Sequence, residues 1–323
     1  MAKTALITGI SGQDGSYLAE LLLEHDYHVV GTVRDIDTAR HKLGNALASR
    51  LDLINWDYAD SQYLQKIISQ TQPSEIYNLA AFSSGAGMFD EPLKVSEING
   101  LLVTMILEAI RVCGQEIKFC QASSREVFGE AIESPQNEKT ARQPRSPYGA
   151  AKVYADSMIK IYRERYNTFA CSAILFNHES PRRGLNFVTR KITHEAAKIK
   201  LGLSHELRLG NLDTQRDWGY AGDTVRAMWM MLQHDMADDY VVATGVTHTV
   251  RDFCDRVFNC LGLNYTNYVK EDVSAFRPSE PATLVGDISK IKQALGWRPN
   301  TSFEQLIQMM VDAELSHLEN IYK

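Results

Sequence analysis

The chain has 323 residues, of which 44% are hydrophobic and 23% charged, as is usual for a soluble globular protein. This length accommodates one large domain or two smaller ones. The formal net charge of -6 argues against broad binding of nucleic acid or of anionic membrane surfaces, while a local basic pocket stays compatible with it.

The N-terminus and the cysteines predict a cytoplasmic protein. The chain enters an apolar strand at Thr4, too early for a secretory signal peptide, and no apolar run approaches the length of a membrane span. The spacing of the five cysteines fits neither a metal site nor a disulfide framework. We therefore expect reduced thiols and no metal.

The first half of the chain alternates between short apolar strands and helices. Such alternation predicts an α/β fold with a parallel, doubly wound sheet, which binds ligands at the carboxyl ends of its strands. The predicted elements are strand Thr4–Thr8, helix Ser16–Glu24, strands His28–Val33 and Leu51–Asn55, helix Ser61–Thr71, strand Glu75–Leu79, helix Val95–Val112, strand Lys118–Ala122, helix Tyr148–Tyr166 and strand Ala170–Leu175.

After Phe176 the pattern becomes irregular and predicts a smaller lobe. We expect a first domain of residues 1–176 and a second of residues 177–323, with a strand near residues 240–243 returning to the first. The predicted elements are loop Asn177–Gly184, helix Lys191–Leu201, strands Glu206–Leu209 and Tyr240–Ala243, and helices Thr249–Leu261 and Phe303–Leu318.

A glycine-rich turn marks the first junction between a strand and a helix. Gly9, Gly12 and Gly15 follow each other at intervals of three residues. Such a turn lets the backbone approach a pyrophosphate, which the helix N-terminus then stabilises. A glycine triplet alone is equally typical of an ordinary turn, but at this junction it indicates a dinucleotide. We assign the turn, with Gln13 and Asp14, to the cofactor.

The end of the second strand bears on the choice between NADP and NAD. Arg34 and Asp35 stand there in succession. A carboxylate at this place accepts a hydrogen bond from the ribose 2′-hydroxyl of NAD, whereas an arginine accommodates the 2′-phosphate of NADP. Because a guanidinium binds phosphate through two hydrogen bonds, we favour NADP, with NAD possible.

Two further strand ends are assigned to the cofactor. Asp57, after the third strand, is placed to meet adenine, although a solvated loop carboxylate is an equal alternative. The fourth strand is followed by side chains small enough to let a cofactor lie across the sheet. They are Leu79, Ala80, Ala81 and Ser83.

Tyr148 and Lys152 indicate hydride chemistry on an alcohol. Among the 14 tyrosines, only Tyr148 has a lysine four residues further on, and this spacing puts both on one face of a helix. An ammonium beside a phenol lowers the pKa of the phenol. We expect such a tyrosine to take a proton from a sugar hydroxyl while hydride leaves for a nicotinamide. The alternative is an ordinary helix start after a proline-containing turn.

The segment at residues 123–126 lies a short way upstream. If it stays extended, Ser124 and Glu126 point to the same side and Arg125 points away. A carboxylate there suits general acid–base chemistry. The alternative for Glu126 is a strand-end carboxylate that faces water.

Several long motifs carry a resemblance to a known family. The glycine turn and the tyrosine–lysine pair resemble the extended short-chain dehydrogenases that act on nucleotide sugars. Within that group, five segments look like GDP-mannose 4,6-dehydratases over nearly the whole chain. They are Gly9–Glu20, Ile174–Gly184, Phe187–Thr193, Arg216–Gly219 and Phe276–Glu280.

The resemblance implies a Rossmann-type domain with a smaller C-terminal substrate lobe. It implies that His178 and Arg183 help hold the cofactor. A physical argument supports Arg216 and Arg277 in the nucleotide-sugar site, because the diphosphate of a nucleotide sugar needs cationic side chains with forked donors. The alternative for each arginine is a surface charge. The substrate residues expected are Ser84, Asn177, Glu179, Val188, Lys191, Arg216, Arg277 and Glu280.

The resemblance also implies a reaction, the loss of water across C5 and C6 of a GDP-linked hexose by an NADP-dependent hydro-lyase. Tyr148 would take the 4-hydroxyl proton, Lys152 would hold the cofactor ribose, and Ser124 would hydrogen-bond the 4-oxygen. Glu126 would abstract the C5 proton and assist departure of the C6 hydroxyl. Alternatives are an NADP-dependent epimerase or 4-keto reductase on the same scaffold, or a non-catalytic NADP-binding protein.

The chain departs from the family pattern at four places. Arg125 replaces a small polar residue, and turned inward it would alter proton delivery at C6. Ser84 and Gly85 replace larger residues near the hexose pocket, which suggests room for a heptose. A shortened segment after Arg34 puts a tetramer in doubt and leaves a homodimer through residues 95–112 and 148–166. The stretch from Leu263 to Phe276 is compact.

Overall fold

A computed structural model describes residues 2–82, 89–272 and 282–322. The strands are β1 (Thr4–Thr8), β2 (His28–Val33), β3 (Asp52–Asn55), β4 (Glu75–Asn78), β5 (Lys118–Ala122), β6 (Ala170–Leu175), β7 (Asn177–Glu179), β8 (Leu207–Leu209), β9 (Gln215–Arg216), β10 (Trp218–Tyr220), β11 (Tyr240–Val242), β12 (His248–Thr249) and β13 (Val269–Glu271). The helices are α1 (Gln13–Glu24), α2 (Ile36–Leu43), α3 (Asn45–Ala48), α4 (Ser61–Thr71), α5 (Pro92–Ser96), α6 (Leu102–Cys113), α7 (Pro147–Tyr166), α8 (Val188–Lys200), α9 (Ala221–Gln233), α10 (Val250–Cys260), α11 (Ser289–Leu295) and α12 (Phe303–Tyr322).

Seven parallel strands form the central sheet, in the order β11-β6-β5-β4-β1-β2-β3. The order reverses direction next to β1, and there the carboxyl ends of β1 and β4 open a crevice for a ligand. The predicted α/β fold with a doubly wound sheet is confirmed. Strand β11 comes from the second half of the chain and pairs with β6, with Val241 opposite Ile174.

Helices cover both faces of the sheet with buried apolar side chains. One face packs against α1 and α9, and the other packs against α4, α6 and α7. A third apolar cluster lies in the second half of the chain, where α8, α10 and α12 pack together around Phe253 and Met310. The described part of the chain contains no helix that is both long and apolar enough to span a membrane.

Two predicted elements differ from those observed, and helix α9 is one of several elements that were not predicted. The helix expected over residues 95–112 is interrupted by a π turn at Glu97–Leu101, where the Asn99 amide donates to Val95 O at 2.9 Å and accepts from Phe82 N at 3.2 Å. The loop expected at residues 177–184 begins with β7, which pairs with β10. Helix α9 was missed because no side chain caps its N-terminus, so the usual start signal is absent there.

Candidate active site

A single cleft of about 1290 Å³ runs along the carboxyl ends of the central strands. We call the part around the Gly9–Gly15 turn and Arg34 the glycine end. The part around residues 124–126, Tyr148 and Asn177–Glu179 is the tyrosine end. Residues predicted for cofactor and substrate line both parts, so the fold brings most of them together in one continuous cavity.

The glycine turn leaves no room for side chains. Gly9 has a φ of 70°, and a Cβ placed on it would lie 2.8 Å from Ala80 N. The turn is closed by a hydrogen bond from Gly12 N to Gly9 O at 3.0 Å. Leu79, Ala80 and Ala81 line the same wall of the cleft. This close approach of two backbones suits a dinucleotide lying across the sheet.

Basic and aromatic side chains line the cleft together with Arg34. They include Lys42 on α2, Lys94 on α5, Trp56 and Tyr58, and the charge of Arg34 acts on Lys94. Cations in such a lining suit a phosphate, and the aromatic rings suit an adenine. The residues present therefore fit the 2′-phosphate and the base of NADP.

The contacts of Asp35 bear on the choice between NADP and NAD at the end of β2. Its carboxylate caps α2, accepting a hydrogen bond from Thr38 N at 2.8 Å, and this bond lowers the pKa of Asp35. Asp35 does not line the cleft, whereas Arg34 does. The carboxylate that would favour NAD is thus occupied as a helix cap.

Asp57 is a correction to the predicted site. The side chain is exposed and does not line the cleft, and its Oδ1 accepts from Ala59 N at 3.1 Å within the turn. Its neighbours Trp56 and Tyr58 line the cleft, whereas Asp57 does not.

Tyr148 and Lys152 share one face of α7, as predicted. The Lys152 Nζ lies 5.6 Å from the centroid of the Tyr148 ring and donates to Ala122 O at 2.7 Å. Burial lowers the pKa of Lys152 to about 8. Gly149 permits this placement, because a Cβ on it would lie 2.6 Å from Glu126 O. Helix α7 therefore starts directly against the turn that carries Glu126.

The predicted lowering of the Tyr148 pKa is wrong. Burial raises the pKa of Tyr148 to about 12, and the charge of Glu126 adds to the rise. A hydrogen bond with Ser124 and the charge of Arg183 act in the opposite direction. Desolvation of the phenolate by the surrounding protein outweighs them, although the side chain is half-buried and lines the cleft.

Residues 124–127 form a tight turn instead of the extended segment that was expected. Ser124 caps a 3₁₀ turn at Arg125–Val127, with its Oγ accepting from Glu126 N at 3.2 Å. Arg125 is buried and lines the cleft, where its Nη2 lies 2.9 Å from Glu126 Oε1. The expectation that Arg125 points away is therefore wrong, because the alternation of a strand does not apply to a turn.

A histidine–carboxylate pair joins the glycine turn to the segment after β6. His178 lies with Nε2 3.0 Å from Asp14 Oδ2 and Nδ1 2.7 Å from Phe176 O. The pair lowers the pKa of Asp14 to about 2 and raises that of His178. Gln13 donates to His178 O at 3.1 Å and accepts from Ser180 Oγ at 2.8 Å. These side chains fix the two walls of the cleft relative to each other.

The Glu179 carboxylate is buried and engaged by the protein. Its Oε2 accepts from Thr189 Oγ1 at 2.5 Å and lies 3.2 Å from Arg183 Nε. The Arg183 guanidinium also stacks 3.5 Å above the Phe187 ring. Glu179 thus positions Arg183, which suits it better than direct contact with a substrate.

Four more predicted substrate residues line the cleft. Lys191 donates to Arg208 O at 2.7 Å, and Asn177 Oδ1 accepts from Arg125 Nε at 2.7 Å. Val188 begins α8, and Arg216 lies in β9. The remaining predicted positions lie outside the described residues. They are Ser83, Ser84, Arg277 and Glu280, together with Gly85.

Sequence reasoning missed several residues that line the cleft. Lys42 and Lys94 stand far from the motifs in the chain and come close to Arg34 only through the fold. The signal that could have found Lys42 is its place in the last turn of an amphipathic helix that starts just after Arg34. Others missed are Trp56, Tyr58, Arg182, Arg208 and Asp213.

Comparison with known proteins settles the family. The family model described as GDP-mannose 4,6 dehydratase matches residues 6–310. The chain belongs to this family. GDP-mannose 4,6 dehydratase 2 of Arabidopsis thaliana is 48% identical over 97% of this chain and 87% of that relative. GDP-mannose 4,6 dehydratase of Homo sapiens is 46% identical over 97% of this chain and 91% of that relative.

A solved structure agrees with the fold. RMD from Pseudomonas aeruginosa, complexed with NADPH, superimposes with a TM-score of 0.84 at 22% identity, over 98% of this chain and 100% of that one. At this identity the likeness concerns the fold. Family membership confirms the predicted family and the enzyme class, a dehydratase of nucleotide sugars.

Proposed function

We propose that the protein removes water from a GDP-mannose-type sugar to give a 4-keto-6-deoxy sugar, with NADP as its cofactor. The observation that carries this proposal is the meeting of Tyr148, Ser124 and Glu126 at one end of a cleft whose other end fits NADP. A tyrosine alone suffices for redox chemistry at an alcohol. A carboxylate beside it supplies the base that elimination requires.

The glycine end would hold the cofactor. The Gly9–Gly15 turn would take the pyrophosphate, and Arg34 with Lys42 would take the 2′-phosphate. Bound NADP supplies reversible hydride transfer. Family membership supports this cofactor, and the capping role of Asp35 argues against a preference for NAD.

Tyr148 would act on the 4-hydroxyl of the sugar. In the protein alone it is a neutral phenol, since burial raises its pKa to about 12. To accept the 4-hydroxyl proton it must first release its own, and the Ser124 hydrogen bond together with the charge of Arg183 favours that release. Lys152, fixed by Ala122 O, would add a donor at the same place.

Glu126 would carry out the elimination. Oxidation at C4 acidifies the C5 proton, which the Glu126 carboxylate would remove. The same carboxyl, now protonated, would give that proton to the departing C6 hydroxyl, so that water leaves and the carboxylate is restored. The hydride taken from C4 would then return to C6, and a proton would enter at C5 in exchange for the one that Tyr148 accepted, which gives the 4-keto-6-deoxy sugar without net redox change. The Ser124 cap and the Arg125 contact hold this carboxylate in place.

Mass spectrometry tests the proposal. The pure protein, supplied with NADP, is incubated with GDP-mannose, GDP-mannoheptose, UDP-sugars and dTDP-sugars, and the loss of one water is followed. We expect water loss from a GDP-linked sugar and none when Glu126→Gln replaces the wild type. Absence of water loss with every sugar, together with reduction of 4-keto sugars by NADPH, would contradict the proposal in favour of a reductase.

The organisation of the protein is part of the proposal. We infer a cofactor domain of residues 1–176 and a mainly substrate-binding lobe of residues 177–323. The outer faces of α6 and α7 expose apolar side chains, among them Val112, Tyr154 and Ile161, which would meet the same faces of a second copy. Light scattering is expected to report a homodimer, with a tetramer as the alternative. The free cysteines suit a cytoplasmic location.

A further inference from the structure

Arg125 is held between two residues of the tyrosine end. Its Nη2 lies 2.9 Å from Glu126 Oε1, and its Nε donates to Asn177 Oδ1 at 2.7 Å. The residue lines the cleft but is only 8% exposed, so most of the side chain is shielded from solvent. Its contacts point to a role that acts through its neighbours.

Backbone hydrogen bonds make the arrangement rigid. The turn is closed by Val127 N to Ser124 O at 3.1 Å and by Phe128 N to Arg125 O at 3.0 Å. On the other side, Asn177 opens strand β7, where it pairs with Trp218 of β10. Arg125 therefore bridges two elements that are each fixed independently.

We propose that Arg125 is a positioning residue, which holds the Glu126 carboxylate in place and orients the Asn177 amide so that its NH₂ group is left for the ligand. This inference rests on the proposed function, since it assigns the residue that prepares the base of the dehydration.

The hydrogen-bonding groups of arginine determine the orientation of the Asn177 amide. A guanidinium has only N–H donors, so the atom of Asn177 that faces Arg125 must be the amide oxygen. The NH₂ group then turns toward the cleft, which Asn177 lines. Asn177 thereby becomes a donor for oxygen atoms of a nucleotide sugar.

The position of the Glu126 carboxylate follows from the groups that face it. Arg125 contributes the cation from the same turn, and Tyr148 faces the carboxylate from α7 as a neutral phenol. Arg183 and Asp14 lie further along the cleft and act on Tyr148 with opposite signs. The side chains of Arg125 and Glu126 are 10% and 23% exposed, so solvent screens the pair only in part. An arginine also stays protonated at every working pH, so it cannot replace Glu126 as a proton donor.

A carbon spectrum that needs no substrate tests the first half. In protein labelled with ¹³C at the glutamate carboxyls, the Glu126 signal is assigned by its loss in Glu126→Gln. We expect its chemical shift at neutral pH to move in Arg125→Ser, which removes the contact, and to stay near that of the wild type in Arg125→Lys, which retains the cation. The control is Arg256→Ser, which breaks an exposed ion pair with Glu304. An unchanged chemical shift in Arg125→Ser would overturn the proposal.

Kinetics with GDP-mannose test the second half. Arg125→Lys retains the cation but lacks the fork that reaches both partners, so Asn177 is released and KM rises by about tenfold while kcat stays near that of the wild type. In Arg125→Ser the Glu126 carboxylate also loses its partner, so kcat falls as well. Equal KM values in Arg125→Lys and the wild type would exclude the role in orienting Asn177.

The two experiments distinguish a failure of this inference from a failure of the proposed function on which it rests. If the wild type removes water from none of the sugars, the proposed function fails, and the carboxyl spectrum still decides whether Arg125 holds Glu126. Serine is the type of residue that the family resemblance places at this position, so Arg125→Ser is expected to fold. Circular dichroism and Tm within a few degrees of the wild type check this.

Discussion

The glycine end and the tyrosine end of the cleft are built from different kinds of contact. At the glycine end, Arg34 and Lys42 are exposed, and the backbone of the turn approaches the cleft directly. At the tyrosine end, Arg125 and Glu179 are buried and bound to other side chains. The free-energy changes caused by substitutions at the glycine end should therefore be additive, whereas those at the tyrosine end should be coupled.

The largest effect is expected from Tyr148→Phe. The substitution keeps the ring that fills the buried position and removes the hydroxyl that contacts Ser124. We expect the rate of water loss to fall by about 10³-fold, in the range for a group that transfers protons in the transition state. The rate is measured by mass spectrometry at saturating sugar.

The matched control is Tyr322→Phe at the end of α12. The Tyr322 side chain is exposed and does not line the cleft. Loss of its hydroxyl should leave the rate within about twofold of the wild type, as for a surface substitution. A Tyr148→Phe enzyme as fast as this control would show that the hydroxyl at the tyrosine end takes no part in the reaction.

The next effect concerns cofactor choice at the glycine end. Arg34→Ala should weaken NADP binding by about 10–100-fold and leave NAD binding nearly unchanged, because only NADP carries the 2′-phosphate. Lys42→Ala should add a smaller loss, and the two losses should sum in the double variant. Calorimetric titration of cofactor-free protein measures both. Equal losses for NADP and NAD would show that Arg34 does not contact the 2′-phosphate.

The same contrast explains what the sequence could predict. Residues at the glycine end follow strand ends directly, and parallel strands bring their carboxyl ends to one edge, so Gly9, Arg34 and Ala80 could be placed from local patterns. Arg125 could not, because its direction depends on a turn and on Asn177, which lies 52 residues away in the chain. The Tyr148 pKa also depends on burial, which a motif does not report.

A third test concerns the pair that joins the two ends. Asp14, whose pKa falls from 3.8 to about 2, contributes stability that is present above pH 3.8 and lost as the pH falls toward 2. His178, whose pKa is raised above 6.5, contributes stability that is present below pH 6.5 and lost as the pH rises through its folded value. The pair therefore stabilises most between about pH 4 and 6.5.

Asp14→Asn should accordingly lower the free energy of unfolding by about 2 kcal/mol near pH 5.5, and by less at pH 9. Denaturant unfolding at both pH values measures the difference. Asp255→Asn, at an exposed position of α10, is the control and should change little at either pH. A destabilisation of Asp14→Asn that is the same at both pH values would show that His178 is not its charged partner.

The smallest effect is expected from Asp35→Ala. This substitution decides whether the Asp35 carboxylate caps α2 or binds the ribose of NAD. The Asp35 carboxylate caps α2 through Thr38 N, so its loss should lower Tm by about 2 °C or less and leave the ratio of NADP to NAD affinity unchanged. Asp35→Asn, which can still accept the capping bond, should restore Tm. If Asp35→Ala instead weakened NAD binding selectively, the carboxylate would have to leave the cap for the ribose. The glycine end would then share the coupled character of the tyrosine end.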